Sequence, residues 1–359
     1  MRTGLLPGAV ALLLTAVPVQ GAEAGVDSVA SNYDVRELGD GVYALVRRDP
    51  PGLMCDANSV FIVNDEDVVV VDAPEASREM LETLRGITDK PVSALVNTHW
   101  HDDHLTGNAL YREAFPDLEI VGHASMRDYL AGKGVENRRG MIEGAPGGVE
   151  MLRSQLAKGS NLAGEPIDAE ERVSYESDIR LVEHYLEVVP QSRIVPPTLT
   201  VEDRLTLERG SRTIEILHLG AGHTAADLVV WLPRERIAVV GDLVGAPVPL
   251  VGVGQSHVLE WSGTLERLIE LDPRTIVPGH GPVLAGVEPA RRMAELFATI
   301  SDRTRAAAAG GATLEEVREA VDLADQRRRF AGDSRLLGTL FDMYVAGPGV
   351  TAAFQAISP

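Results

Sequence analysis

Three histidines and two aspartates fall within six residues, in the run His99-Trp100-His101-Asp102-Asp103-His104. An apolar run at 92–96 leads straight into it. In an extended chain alternate side chains point the same way, so the imidazoles of His99 and His101 can reach one ion. Asp103 and His104 follow on a turning chain and point to a neighbouring position. Imidazole nitrogen combined with carboxylate oxygen is the donor mix of zinc, or of iron or manganese where oxygen donors dominate. His-x-His-x-Asp-His at a strand end is too specific for a polar loop that merely contains histidines. Whatever fold this chain adopts must deliver further donors to the same point from remote segments.

The pattern along the chain is that of an α/β protein. Short apolar runs at 42–46, 59–63 and 68–71 are separated by turn residues, with Asn64-Asp65-Glu66-Asp67 closing a hairpin. Helical spacing over 77–87 precedes the strand at 92–96; another strand is expected at 118–121, and a helix from about residue 125. Residues from about 132 to 192 read as a helical insertion, with glycine-rich loops at 144–148 and 159–164 between helices at 151–158 and 169–188. Strand patterns return at 198–207, 213–217, 228–232, 237–240 and 275–277, with a helix at 259–271 and a mainly helical tail after about residue 288. Two β-rich halves, each with helices, predict sheets packed face to face with helices outside.

Three more motifs follow predicted strands: Gly222-His223-Thr224, Gly241-Asp242 and Pro278-Gly279-His280-Gly281. With the opening cluster they resemble the metallo-β-lactamase-fold superfamily over roughly residues 35–287. The resemblance implies a four-layer αβ/βα sandwich over 30–290, carrying the helical insertion at about 132–192 and a helical C-terminal extension over 291–359. It implies a first metal on His99, His101 and His223, a second on Asp103, His104 and His280, and Asp242 bridging them. The expected cofactor is two zinc ions (Zn2+), with iron or manganese as alternatives. Asp103 is the expected catalytic residue, orienting a metal-held water or hydroxide and passing its proton onward. The implied activity is hydrolysis of an amide, lactone, ester or thioester, with β-lactamase activity in reach. Class B1 lactamases, however, carry cysteine where Asp242 stands and commonly lysine where Gly245 stands, and class B3 enzymes also lack this aspartate. An aspartate bridge is more similar to glyoxalase II and related hydrolases, whose glutathione-binding basic residues have no counterpart here. A phosphodiesterase or an iron-dependent redox enzyme on the same fold is the alternative.

Charge narrows the partners. A formal net charge of -20 and a pI near 4.8 repel phosphate backbones, so nucleic acid is excluded and a small-molecule substrate is expected. Arg2, the apolar stretch at 5–19 and the small residues Gly21, Ala22 and Ala24 predict a signal peptide over 1–24. That stretch is short and broken by Pro7, Gly8 and Pro18, so no stable membrane anchor is expected and the protein is placed in the periplasm or secreted. The single cysteine, Cys55, excludes an intramolecular disulfide and is read as a packing residue beside an apolar strand. His218 is expected to be structural, His123 and His184 ordinary, and His257 to lie in a loop able to face the site. Trp100 is placed at the pocket wall, Trp231 and Trp261 in the core, and Asp102 in solvent or behind the ligands. Oligomeric state is not legible in the sequence.

Overall fold

Valine-rich runs too apolar to leave either face in water build the first sheet. The computed structural model describes residues 29–358, so the signal-peptide reading of 1–24 lies outside the described residues. Seven strands lie in sequence order: β1 (Tyr33–Gly39), β2 (Val42–Arg47), β3 (Ser59–Val63), β4 (Val68–Val71), β5 (Val92–Val96), β6 (Glu119–His123) and β7 (Leu199–Val201). The first four pair antiparallel; β4 to β7 pair parallel. All four valines of β4 are buried, as expected of a strand covered on both faces. One face is covered by α1 (Ser77–Ile87) and α2 (Asn108–Ala114), through Met80, Leu84 and Tyr111.

The insertion follows β6. It comprises α3 (Met126–Ala131), α4 (Lys133–Lys158) and α5 (Ala169–Val188). The predicted glycine-rich loop at 144–148 is not a loop: α4 runs through Gly144, Pro146, Gly147 and Gly148 without a break. Glycine and proline are poor helix formers, but here tertiary anchors on both sides override local preference. Arg138 is tied to Asp102 on one side, and on the other Val149 and Leu152 pack on Tyr175 and Ile179 of α5. The helix ends where Gly159 takes φ 65°, a left-handed turn that glycine enters at no steric cost. Asp168 and Glu171 then cap α5 reciprocally.

The chain next crosses between sheets. The run predicted as one strand at 198–207 divides at Glu202-Asp203, giving β7 to the first sheet and β8 (Arg204–Arg209) to the second. The second sheet also holds β9 (Arg212–Leu217), β10 (Val229–Leu232), β11 (Ile237–Gly241), β12 (Thr275–Pro278) and β13 (Leu284–Ala285), in the order β13-β12-β11-β10-β9-β8. Only β11 and β12 pair parallel, joined through α6 (Val258–Glu270). Ala44, Val60, Val71, Val96 and Val121 stand in register across the first sheet, and Leu205, Ile216, Val230, Val239 and Val277 across the second. These two rows meet in the inter-sheet core.

The outer face of the second sheet is covered by α6 and α7 (Glu288–Ala308), with Trp261 stacked on Phe297 at 4.0 Å between ring centroids. Trp231 joins the same cluster, so both tryptophans are core residues as predicted. The tail adds α8 (Leu314–Ala320), α9 (Ala324–Ala331), α10 (Arg335–Phe341) and α11 (Gly347–Ile357), which bury Val317, Phe330, Phe341 and Val350 against this cluster. The architecture is the four-layer αβ/βα sandwich with a helical C-terminal region. Among the described residues no helix is long and apolar enough to cross a membrane.

The insertion is tied to the sandwich by a buried carboxylate. Asp178 of α5 accepts hydrogen bonds from the backbone amides of Leu53 at 3.0 Å and Met54 at 3.1 Å. Burial pushes its carboxyl up from 3.8 to about 6, against those amides. A carboxyl with a raised folded-state pKa stabilises the fold below its unfolded value, and this contribution is lost as pH rises through the folded value. Stability to urea therefore contains a part that falls between about pH 4 and about pH 6. Asp178→Asn is expected to flatten this slope in urea titrations across that window. An unchanged slope would refute the assignment.

Candidate metal centre

The donors lie past strand ends, with Asp103 and His104 on a 3-10 turn at Asp102–His104. β5 runs through Asn97 and Thr98 into His99, while Asp242 follows β11 and His280 follows β12. His223 lies on the turn between β9 and β10, held by Asp227, which accepts from the Thr224 amide at 3.0 Å. Two constrictions bring these ends together. A Cβ on Gly241, at φ 52°, would meet the Thr98 side chain, and one on Gly279 would strike Asp242 and His104.

The seven predicted residues converge. Donor atoms of His99, His101, His223 and Asp242 lie within 4.8 Å of one another, with His101 Nδ1 3.0 Å from His223 Nε2. A second group joins His104, His280 and Asp242, and Asp103 lies beside it, its Oδ2 3.1 Å from His280 Nε2. Asp242 turns one oxygen to each group: Oδ2 is 3.5 Å from His223 Nε2, and Oδ1 is 3.4 Å from both His104 Nε2 and His280 Nε2.

The donor set fits a pair of metal ions. His99 is only 1% exposed, yet its Nε2 has no hydrogen-bond partner, and neither has the buried Asp242 Oδ1. Orphaned buried acceptors of this kind carry a large cost unless a cation meets them. Burial and the neighbouring imidazoles hold His99 well below its usual pKa, and burial takes His223 down to about 4. Both are therefore neutral, the form that ligates. Burial alone would raise Asp103, but His104 and His280 overcome it and hold the carboxyl at about 2.

The ring nitrogens of His101, His104 and His223 that face away from the donor groups are engaged, which selects their tautomers. His104 Nδ1 donates to Asp72 Oδ2 at 2.8 Å, and Asp72 is itself held by the amide and hydroxyl of Thr98. His223 Nδ1 donates to the Leu250 carbonyl at 3.0 Å. His101 is turned the other way round. Gln255 Oε1 accepts from Trp100 Nε1 at 3.3 Å, a group that can only donate, and from Tyr129 OH at 3.1 Å, whose oxygen is already taken by Asn137. The same Oε1 lies 3.0 Å from His101 Nε2, so that nitrogen must carry the proton and Nδ1 is left bare toward His223. Gln255→Leu is expected to weaken metal binding by roughly 10- to 100-fold, as loss of such outer partners does. Competition with a chelator measures this, and an unchanged affinity would refute the role.

Several side chains differ from expectation. Cys55 is not a packing residue: it is exposed at the site, with Sγ 3.8 Å from His280 Nε2. It stands off the apolar face because its loop is pinned by Asp178 rather than continuing β2. Of the two places expected for Asp102, the structure gives the one behind the donor cluster: it is bound by Arg138 of α4, through Nε at 2.9 Å, and by Tyr185 of α5 at 3.3 Å. In the loop expected to reach the site, His257 lies 3.4 Å from Glu260, and it is Gln255 that meets His101. His218 Nδ1 donates to the Asp227 carbonyl and its ring lies 4.3 Å from His123, a structural pairing as predicted. Trp100 stacks on Tyr129 with centroids 4.2 Å apart. Asp72, Gln255, Arg138 and Tyr185 were not singled out by sequence; of these only Asp72, an aspartate ending four valines, carries a visible signal.

A cleft of about 390 Å³ opens from Asp242, His280 and Cys55. Its walls are largely apolar, including Val46, Met54, Val248, Leu250, Leu340 and Tyr344. The last two belong to the C-terminal helical region, whose Tyr344 hydroxyl donates to the Gly52 carbonyl at 3.2 Å.

Residues 53–280 match the model of the metallo-beta-lactamase superfamily. The chain is 27% identical over 272 residues to the linear primary-alkylsulfatase of Pseudomonas sp., a match covering 72% of this chain and 48%, about half, of that protein. It is 23% identical over 264 residues to the metallo-beta-lactamase type 2 of Bacteroides fragilis, covering 70% of this chain and 81% of that one. Among solved structures, the stereoselective inverting sec-alkylsulfatase of Pseudomonas sp. superposes with a TM-score of 0.62 at 15% identity, over 91% of this chain and 50% of that chain. At that identity the likeness is one of fold.

Proposed function

This chain belongs to the metallo-β-lactamase superfamily of binuclear metal-dependent hydrolases, and from that premise we propose that it is a zinc-dependent hydrolase cleaving an amide, lactone, ester or thioester in a small molecule with an apolar body. The observation that carries the reading is Asp242, which presents one oxygen to each of two donor groups. In this reading His99, His101 and His223 would hold the first zinc, Asp103, His104 and His280 the second, with Asp242 shared between the two positions. When bound, a metal pair acidifies water and polarises the bond to be cut.

The remaining work falls to the chain itself. Asp103, kept ionised, orients water with one oxygen and accepts its proton. Asp72, Gln255 and the Leu250 carbonyl hold three imidazoles in the ligating tautomer. The apolar cleft desolvates the substrate body. Gly245 offers no side chain to grip a lactam carboxylate, which makes any β-lactamase activity weak. An alkyl sulfate ester is the second reading, favoured by the apolar cleft and by the chain's similarity to a linear primary-alkylsulfatase. Export, with removal of the N-terminal segment, also belongs to the proposal.

A substrate panel on zinc-loaded protein tests this. Turnover of at least one lactam, lactone, carboxylic ester or thioester is expected. Turnover confined to alkyl sulfates would select the second reading, and turnover confined to a phosphodiester would return the alternative disfavoured by the acidic charge. Cleavage of none of these would overturn the hydrolase assignment. Metal analysis of protein made without added metal separates zinc from the iron of a redox enzyme.

A further inference from the structure

We propose that Cys55 is a thiolate ligand at the second metal position, beside Asp103, His104 and His280. The inference rests on the two-metal reading and adds a donor to it. Cys55 Sγ, the Asp103 carboxylate and His280 have ligand atoms within 4.8 Å of one another, a group separate from the one His280 forms with His104 and Asp242.

The spacings are those of ligands around one ion. With zinc–sulfur near 2.3 Å and zinc–nitrogen near 2.0 Å, a tetrahedral site sets sulfur and nitrogen roughly 3.6 Å apart. Cys55 Sγ lies 3.8 Å from His280 Nε2, and Asp103 Oδ2 lies 3.1 Å from the same nitrogen. Independently, Asp242 Oδ1, shut off from solvent and without a hydrogen-bond partner, faces the same position, 3.4 Å from both His104 Nε2 and His280 Nε2.

The thiol is held there rather than swinging in solvent. Asp178 fixes the amides of Leu53 and Met54 on one side, and a Cβ on Gly52 would collide with that carboxylate. On the other side Asp56 accepts from the amides of Ala57 and Glu75 at 3.1 and 3.0 Å. A thiolate among carboxylate and imidazole donors biases the position toward zinc and away from manganese.

Cobalt(II) substitution reads this directly. Wild-type protein titrated with cobalt is expected to develop an intense near-ultraviolet sulfur-to-cobalt charge-transfer band, and Cys55→Ser to lose it while retaining cobalt at the first position. Iodoacetamide supplies a check that needs no variant: Cys55 should alkylate in metal-free protein and be slowed by roughly 10-fold or more when two equivalents of zinc are bound. Two bound equivalents without the band, or with undiminished alkylation, would overturn Cys55 as a ligand and leave the two-metal reading standing. Failure of wild-type protein to retain any cobalt would overturn both.

Discussion

Asp103→Ala is expected to lower turnover by roughly 10²- to 10⁴-fold, the range for loss of a positioned proton acceptor. Its carboxylate is the only group of the site assigned both to a metal position and to the proton. Without metal, His104 and His280 hold its carboxyl down at about 2, and a cation at the same place would act in the same direction. Asp103→Asn separates the two duties. It keeps an oxygen for the metal but accepts a proton poorly, so it should retain more metal than the alanine variant while remaining slow. Metal analysis beside steady-state kinetics checks this. Two metals and near-native turnover in Asp103→Ala would remove this residue from the chemistry.

Asp102→Ala carries the largest expected cost in stability, about 3 kcal/mol, because it strands a buried charge. Arg138 is only 8% exposed, and its remaining partners are the carbonyl and hydroxyl of Ser192 at 3.3 Å. Asp102 also receives Tyr185, so one carboxylate adjoining the donor cluster binds both long helices of the insertion. Its loss should release those helices and also raise KM. Urea denaturation of Asp102→Ala, Arg138→Met and the double variant gives the coupling, with the double variant less destabilised than the sum. Additive effects would show that the ion pair is not what holds the insertion.

Much of this was legible in the sequence for a simple reason. Strand ends are where a sandwich brings distant segments together, and His99, His223, Asp242 and His280 each follow an apolar run marked by glycine or a polar turn. The sheets are legible from valine runs whose register follows burial. The rest depends on contacts that no local pattern carries. Gln255 is one polar residue in an aperiodic loop; only the folded chain shows that Trp100, Tyr129 and His101 meet on its oxygen. Cys55 was misread because its exposure is set by Asp178, more than a hundred residues away in sequence. The unbroken α4 was missed because Gly144 to Gly148 favour a turn locally, while Arg138, Val149 and Leu152 are anchored on either side.

Hydrolysis by a binuclear centre is put to the test by metal stoichiometry against activity during chelation and reconstitution. Protein stripped of metal is expected to lose hydrolysis, with activity returning as zinc binding reaches two equivalents per chain. Asp242→Ala is expected not to bind the second equivalent tightly. Full hydrolysis by protein shown to be free of metal would contradict a binuclear hydrolytic centre.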